Sequence, residues 1–339
     1  MTMTSDVTQL YESFPFPSPA EDAPLMNMIA DQLPFVVREA ELEGWEVLDA
    51  GCGTGSILLA LARRYPRARF TGLDACSRSL EIARRSAEWY GVTNVEFVHG
   101  SMPELGLERR FDLVVCCGVL HHLPSPRAGL RWLAERLARD GLLYLWLYDA
   151  VGEHGRMMDR ELVQLLTPPN SPEAGLATIR GLGLELSLAD YGFPVGWSGT
   201  ALTAAEQDVA DADAYLNPVV LPMRFADMPE LFAGLPVDWL AADRVFHPGG
   251  IGLVDLAGRE TETHDSAVFV RPEELFDQPA LRDRVRELGN LDRLRAIELR
   301  LRPTGFEVLA GREAGLDRCL PRIAGNLLPF GDGAEPRTR

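Results

Sequence analysis

The sequence contains no lysine: all 33 of its Lys/Arg positions are arginine, set against 50 Asp and Glu. This absence excludes a lysine Schiff base to a carbonyl substrate or to pyridoxal phosphate, and equally a Walker-type phosphate loop, because both need the amine. A positive surplus is lacking too. With a formal net charge of −17 the chain has no basic footprint to displace the counterions of nucleic acid or to settle on an anionic membrane surface. Neither nucleic acid nor membrane is an expected partner. Long apolar runs are missing as well. The longest, 57–62 and 142–148, fall far short of the ~18 residues of a membrane span. The opening MTMTSDVTQLYESF has neither a basic n-region nor an apolar h-region, from which a cytoplasmic location is expected. The five cysteines (Cys52, Cys76, Cys116, Cys117, Cys319) form no CxxC pair, which argues against a disulfide scaffold and a structural zinc site and leaves them as packing thiols.

What is present is the composition of a folded chain. Apolar residues make up 46% and charged residues 24%, and 339 residues suit about two domains, or one with a large insertion. Between 46 and 149, short apolar runs alternate with helix-period segments, the pattern of βαβ units building a parallel sheet. Strands are expected at 46–49, 69–74, 95–99, 111–116 and 142–147, each continuous, as in strands covered on both faces. A helix is expected after Ser125 and Pro126, an N-cap and first-turn proline, with Leu130, Leu133, Ala134 and Leu137 on one face and Gly141 after its end. Upstream, YESFPFPSP at 11–19 is aromatic and proline-rich and leads to a helix at 25–41. Downstream, helices are expected at 159–166, 204–216, 272–288 and 290–301, and strands at 238–246 and 306–310. The Gly/Pro-rich 168–199 reads as a loop or lid, and 331–339 as a frayed tail.

The stretch VLDAGCGTGS at 47–56 runs a buried strand into a glycine loop and then a helix. A nicotinamide fingerprint would be GxGxxG. Here Gly51, Gly53 and Gly55 alternate as GxGxG and Ser56 follows. Asp49, just before the loop, would repel a pyrophosphate and attract an ammonium group. Asp74 closes the next strand, where a carboxylate can accept both hydroxyls of a ribose. Adenosine with a cationic tail is the inferred ligand. VLDAGCGTG, the strand ending in Asp74, FVHGSM, FDLVVCCGVLHHL and LLYLWL together resemble the class I S-adenosylmethionine-dependent methyltransferases over 36–149. The resemblance implies an α/β fold with a Rossmann-like doubly wound, mostly parallel sheet, and S-adenosyl-L-methionine as cofactor. Carried over by motif position, Gly51, Cys52, Gly53 and Gly55 would hold the methionine part and Asp74 the ribose. Ala75 and Cys76 would lie beside it, Ser101 and Met102 would flank adenine, and Cys117 would border the site. The family often has an Asp where this chain has Ser101, whose hydroxyl can still hydrogen-bond. After the fourth strand the chain reads CCGVLHHLP, resembling small-molecule methyltransferases rather than those with Asn/Asp-Pro-Pro-aromatic.

His121 and His122 follow that strand at the carboxyl edge where open α/β sheets bind ligands, and a neutral imidazole there can take a proton from an attacking hydroxyl or amine. Tyr148, ending the fifth strand, is the reserve base. A metal held by paired histidines with Asp149, Glu153 or His154 is an alternative; none is assigned. Tyr11 and Phe16, with Phe14, would form a stiff apolar flap over the cofactor. Tyr191, Trp197, Tyr215 and Arg224 are candidates for the acceptor pocket. The expected layout is an N-terminal arm (1–35), a cofactor-binding core (36–150), a mainly helical acceptor-binding insertion (151–304), a return strand and C-terminal segment (305–330) and a tail (331–339). The expected activity is methyl transfer to an oxygen or nitrogen of a small metabolite, with specialised metabolism as a setting. A peptide or protein acceptor, a nicotinamide oxidoreductase and a noncatalytic adenosyl-binding regulator are the alternatives.

Overall fold

The continuous apolar runs become the middle of one eight-stranded sheet. In the computed structural model, residues 3–169, 171–187, 201–247, 250–257, 269–312 and 319 are described. The first five strands are β1 (Glu46–Ala50), β2 (Arg69–Asp74), β3 (Val95–His99), β4 (Phe111–Cys117) and β5 (Leu137–Tyr148). They run parallel in the order β3-β2-β1-β4-β5. The other half of the sheet is antiparallel: β8 (Gly305–Gly311) pairs with β5, β6 (Trp239–His247) with β8, and β7 (Gly250–Asp255) with β6. The strand order reverses between β1 and β4, and such a switch point opens a crevice at the carboxyl ends of the strands.

Alternation along each strand divides the apolar side chains between two cores. Val47, Leu113, Val115 and Leu142 pack with α2 (Met28–Val36), the short α3 (Glu39–Leu42) and α4 (Ser56–Arg64). Leu48, Val114, Leu143 and Leu145 face α6 (Pro126–Ala134), α10 (Met228–Phe232) and α12 (Asn290–Leu301). Among the remaining helices, α5 (Ser77–Trp89) follows β2 and α11 (Pro279–Arg286) precedes α12. A third cluster joins Leu10 of α1 (Met3–Ser13) to Val163 of α7 (His154–Leu166), to Leu176 and Ile179 of α8 (Pro172–Leu182), and to Ala212, Ala214 and Tyr215 after α9 (Ala204–Asp211). The N-terminal helix and the helices after β5 thus form one cap. No described helix is long and apolar enough to cross a membrane.

Several expectations change. The helix after Ser125 stops at Ala134, and Leu137 belongs to β5, opposite Phe111. Its i+7 position on the helix pattern was equally a strand position, and pairing with β4 decided between them. The span 25–41 divides into α2 and α3, and 272–288 into a 3₁₀ turn and α11. The segment 11–19 starts inside α1, since its prolines begin only at Pro15 and end the helix rather than prevent it. Within 168–199 lies α8, whose one proline, Pro172, falls in its first turn and whose Gly183 ends it in the left-handed region at φ 69°. β3 is an edge strand and only partly buried, so its continuous apolar run does not report cover on both faces. The helical span 151–304 also adds β6 and β7 to the main sheet, and β7 was hidden by its glycines. The tail 331–339 lies outside the described residues.

Candidate active site

Three left-handed glycines shape the turn from β1 into α4: Gly51 (φ 86°), Gly53 (φ 54°) and Gly55 (φ 82°). The backbone NH groups of Gly51 and Cys52 donate to the Leu73 carbonyl at 2.7 and 3.0 Å, tying the loop to β2. Asp74 completes the tie. One carboxylate oxygen accepts from Gly53 NH and the other from Cys76 NH, both at 2.8 Å, so each oxygen keeps one lone-pair direction for a ligand. Burial pushes the Asp74 carboxyl up, and those backbone donors pull it partly back. The arm after α1 rests on the same loop: the Phe16 carbonyl accepts from Thr54 NH at 3.0 Å and would lie 2.5 Å from a Cβ on Gly53.

Above this loop is a cavity of about 810 Å³. Gly51, Gly53, Asp74, Ala75, Cys76, Ser101, Met102 and Cys117 line one part, Tyr11 and Phe16 of the arm contribute a wall, and His122, Tyr148, Arg156 and Asp213 line the rest. Asp49, Cys52, Gly55 and His121 do not reach it. Asp49 is buried beneath the loop, where desolvation and then the charge of Asp74 raise its carboxyl to about 7. It can act on a ligand through charge, not through contact. Cys52 packs in the core between sheet and helices, and Gly55 caps α4 against Ala83. Cys76 caps α5, its sulfur accepting from Ser79 NH, and burial pushes the Cys116 and Cys117 thiols up, away from thiolate chemistry. Ser101 gives its hydroxyl proton to the Met102 carbonyl at 3.1 Å.

At the β4/β5 edge the cap and the sheet meet in a polar cluster. His122 donates from Nδ1 to the Val219 carbonyl at 2.7 Å, so the neutral ring carries its lone pair on Nε2, 3.7 Å from Asp213 Oδ1. Burial lowers its pKa, opposed by Asp213. Asp213 accepts from the Tyr11 hydroxyl (2.6 Å) on Oδ1 and the Tyr148 hydroxyl (3.3 Å) on Oδ2, and Asn217 donates to the Tyr11 oxygen at 3.0 Å. His121 has another place: its ring stacks on Tyr148 with centroids 4.0 Å apart, and its Nδ1 accepts from Tyr148 NH. On the same ring lies the Arg156 guanidinium, 4.4 Å from the centroid; it pairs with buried Glu153 and donates to the Ala214 carbonyl at 2.9 Å. Tyr148 is thereby aimed at Asp213.

The structure brings Tyr11, His122 and Tyr148 together around Asp213, which the sequence did not single out. Asp213, Asn217 and Arg156 were missed because each is a polar residue on or beside a helix, distant in sequence from the motifs. Tyr11 lines the cavity, with its hydroxyl anchored to Asp213. Tyr215 packs in the helical cap and Arg224 pairs with Glu298, so neither lines the cavity; Tyr191 and Trp197 lie outside the described residues. Asp149 spends Oδ1 on Val151 and Gly152 NH, and among the described residues no group of three His, Cys, Asp or Glu stands together as metal ligands.

Comparison with known proteins gives the same family. Residues 47–141 match a family model described as a methyltransferase domain. An uncharacterized protein of Synechococcus sp. is 29% identical over 92% of this chain and 72% of its own length. The mitochondrial ubiquinone biosynthesis O-methyltransferase of Schizosaccharomyces pombe is 36% identical over 36% of this chain, which spans 45% of that enzyme. Among solved structures, PKMT2 from Rickettsia typhi superposes with a TM-score of 0.55 at 18% identity, over 80% of this chain and 49% of that one, a likeness of fold. With its glycine loop, its acid at the end of β2 and its β3-β2-β1-β4-β5 order, the part of the chain matched at 47–141 is a methyltransferase domain of the class I S-adenosylmethionine-dependent type.

Proposed function

We propose that this chain transfers a methyl group from S-adenosyl-L-methionine to an oxygen or nitrogen nucleophile of a small metabolite. The observation that carries this is the single cavity running from the glycine loop and Asp74 to His122, Tyr148 and Asp213. It has the size of a small-molecule site. The residues fit the cofactor. Asp74 retains one acceptor direction per oxygen for a ribose diol, and the glycines let the backbone approach the methionine part. Ala75, Cys76, Ser101 and Met102 border the adenine side, and Asp49 below adds negative charge once it ionises, at a pH above about 7. When bound, the cofactor supplies an electrophilic methyl carbon, to which the acceptor gives a lone pair while the carbon–sulfur pair returns to sulfur. The protein's work is alignment and exclusion of water. Phe16 and Tyr11 cover the site, His122 Nε2 takes the acceptor's proton, His121 and Arg156 hold Tyr148, and Tyr148 and Tyr11 fix Asp213. The ubiquinone-pathway relative, an O-methyltransferase by name, supports a small acceptor.

The test is a screen of acceptors for S-adenosylhomocysteine release, preceded by thermal stabilisation with S-adenosylhomocysteine and with NADH. Stabilisation by the former alone is expected. Asp74→Ala should weaken that binding more than tenfold, because a hydrogen bond to a charged acceptor is worth about 1.5–3 kcal/mol. Unchanged affinity by calorimetry would remove the ribose assignment. Turnover with peptides but with no small molecule would move the acceptor to the peptide class.

A further inference from the structure

We propose that the acceptor group seated beside Asp213 is a protonated amine, with Asp213 as its counter-charge; the inference rests on the methyltransferase reading above. The cavity wall carries three carboxylates, Asp74, Asp213 and Glu307, against one guanidinium, Arg156. That guanidinium is committed to the buried Glu153. Burial lowers the His122 pKa, which disfavours the imidazolium as a standing countercharge. Asp213 is 8% exposed, and among the described residues no arginine stands within ion-pair distance of it, whereas the buried Glu153 and Glu298 hold Arg156 and Arg224. Its phenol donors, Tyr11 and Tyr148, bring hydrogen bonds but no positive charge. A carboxylate taken out of water needs a cation as well as donors, and here the cation must come from the cavity.

Hydrogen-bonding capacity points the same way. Around the carboxylate stand the Tyr148 phenol oxygen, the Tyr11 oxygen, which already accepts from Asn217, and His122 Nε2, whose other nitrogen is spent on Val219. These atoms can accept, so their complement is a group with several N–H donors. An alcohol offers one donor, and a carboxylate or phosphate would set like charge against Asp213. The proton balance is also kept. The ammonium passes one proton to His122 Nε2 and is left as a neutral amine with a lone pair, while the imidazolium so formed lies 3.7 Å from Asp213 Oδ1. The positive charge stays beside the same carboxylate before and after the transfer.

The test is calorimetry at pH 7 on the full chain saturated with S-adenosylhomocysteine, titrated with n-butylammonium, n-butanol or butanoate. Butylammonium should bind at least tenfold more tightly than either of the others, and Asp213→Asn should abolish that preference while retaining affinity for S-adenosylhomocysteine. Equal binding of butanol, or tighter binding of butanoate, would overturn the proposal; so would an Asp213→Asn variant that keeps the preference. If Asp213→Asn loses S-adenosylhomocysteine affinity through misfolding, the selectivity of the unaltered chain decides alone. Failure of the unaltered chain to bind S-adenosylhomocysteine would instead remove the methyltransferase reading, and the amine with it.

Discussion

His121 and His122 are neighbours in sequence with different chemistry. His122 lines the cavity, and its buried Nε2 is the proton acceptor we assign; His121 is fully buried, stacked on Tyr148, and acts only by holding that ring. His122→Ala should lower turnover by about 10²–10⁴-fold with S-adenosylhomocysteine affinity intact. Retained turnover across a pH series would show that no base, or another base, is used. Because burial depresses the His122 pKa, any acid limb it imposes on kcat/KM should fall below its ordinary 6.5. Asp49 supplies a second residue-scale prediction. Unfolded, it ionises near its ordinary 3.8, but folded it holds its proton to about 7. Its contribution to stability therefore declines as pH rises between those values and is fully unfavourable above the upper one. Asp49→Asn should stabilise the ligand-free chain at pH 8 by roughly 4 kcal/mol at most, seen as a higher melting temperature, and weaken binding of the cationic cofactor. A fall in that melting temperature would refute the desolvation argument. Neither fate could be read from the letters: His-His gives no orientation, and an Asp before a glycine loop reads as exposed or buried alike.

At the scale of elements, the arm and the glycine loop are one construction. The Phe16 carbonyl sits against Thr54 NH, Glu12 accepts from Ser77 NH and its hydroxyl, and Tyr11 reaches Asp213 and Asn217. Gly53 has no room for a side chain under Phe16, whereas Gly91, also left-handed at φ 67°, has open space around the Cβ position. An alanine at either site carries the left-handed cost of about 1–2 kcal/mol, but only Gly53→Ala should also lift the arm. Hydrogen exchange checks this: amides of α1 should lose protection in Gly53→Ala and not in Gly91→Ala, and bound S-adenosylhomocysteine should raise their protection in the unaltered chain. Equal α1 protection in both variants would mean that the arm is held by the cap alone. The aromatic-proline letters at 11–19 announced an apolar cover. They did not announce that Tyr11 would lie in the last turn of a helix and anchor the acceptor side, because that depends on Asp213, some 200 positions away.

For the whole molecule, a charge of −17 is a standing repulsion that added salt screens. The melting temperature should rise between about 0.01 M and about 0.15 M monovalent salt, as the Debye length contracts from about 30 Å to about 8 Å. A fall over that range would mean that attractive pairs such as Arg64–Glu39 and Arg109–Glu46 outweigh the net repulsion. Local sequence suffices for the parallel half of the sheet, the loop at the end of β1 and the acid at the end of β2. These depend on residues a few positions apart, on continuous apolar runs and on glycines that alone adopt the required φ. Tertiary structure alone decided that β6 and β7 extend the same sheet and that α1 joins the downstream helices in one cap. It alone decided, too, that Tyr11, His122, Tyr148 and Asp213 converge on one carboxylate. Such meetings depend on long-range packing and on which buried charge lacks a partner, and no local pattern encodes either.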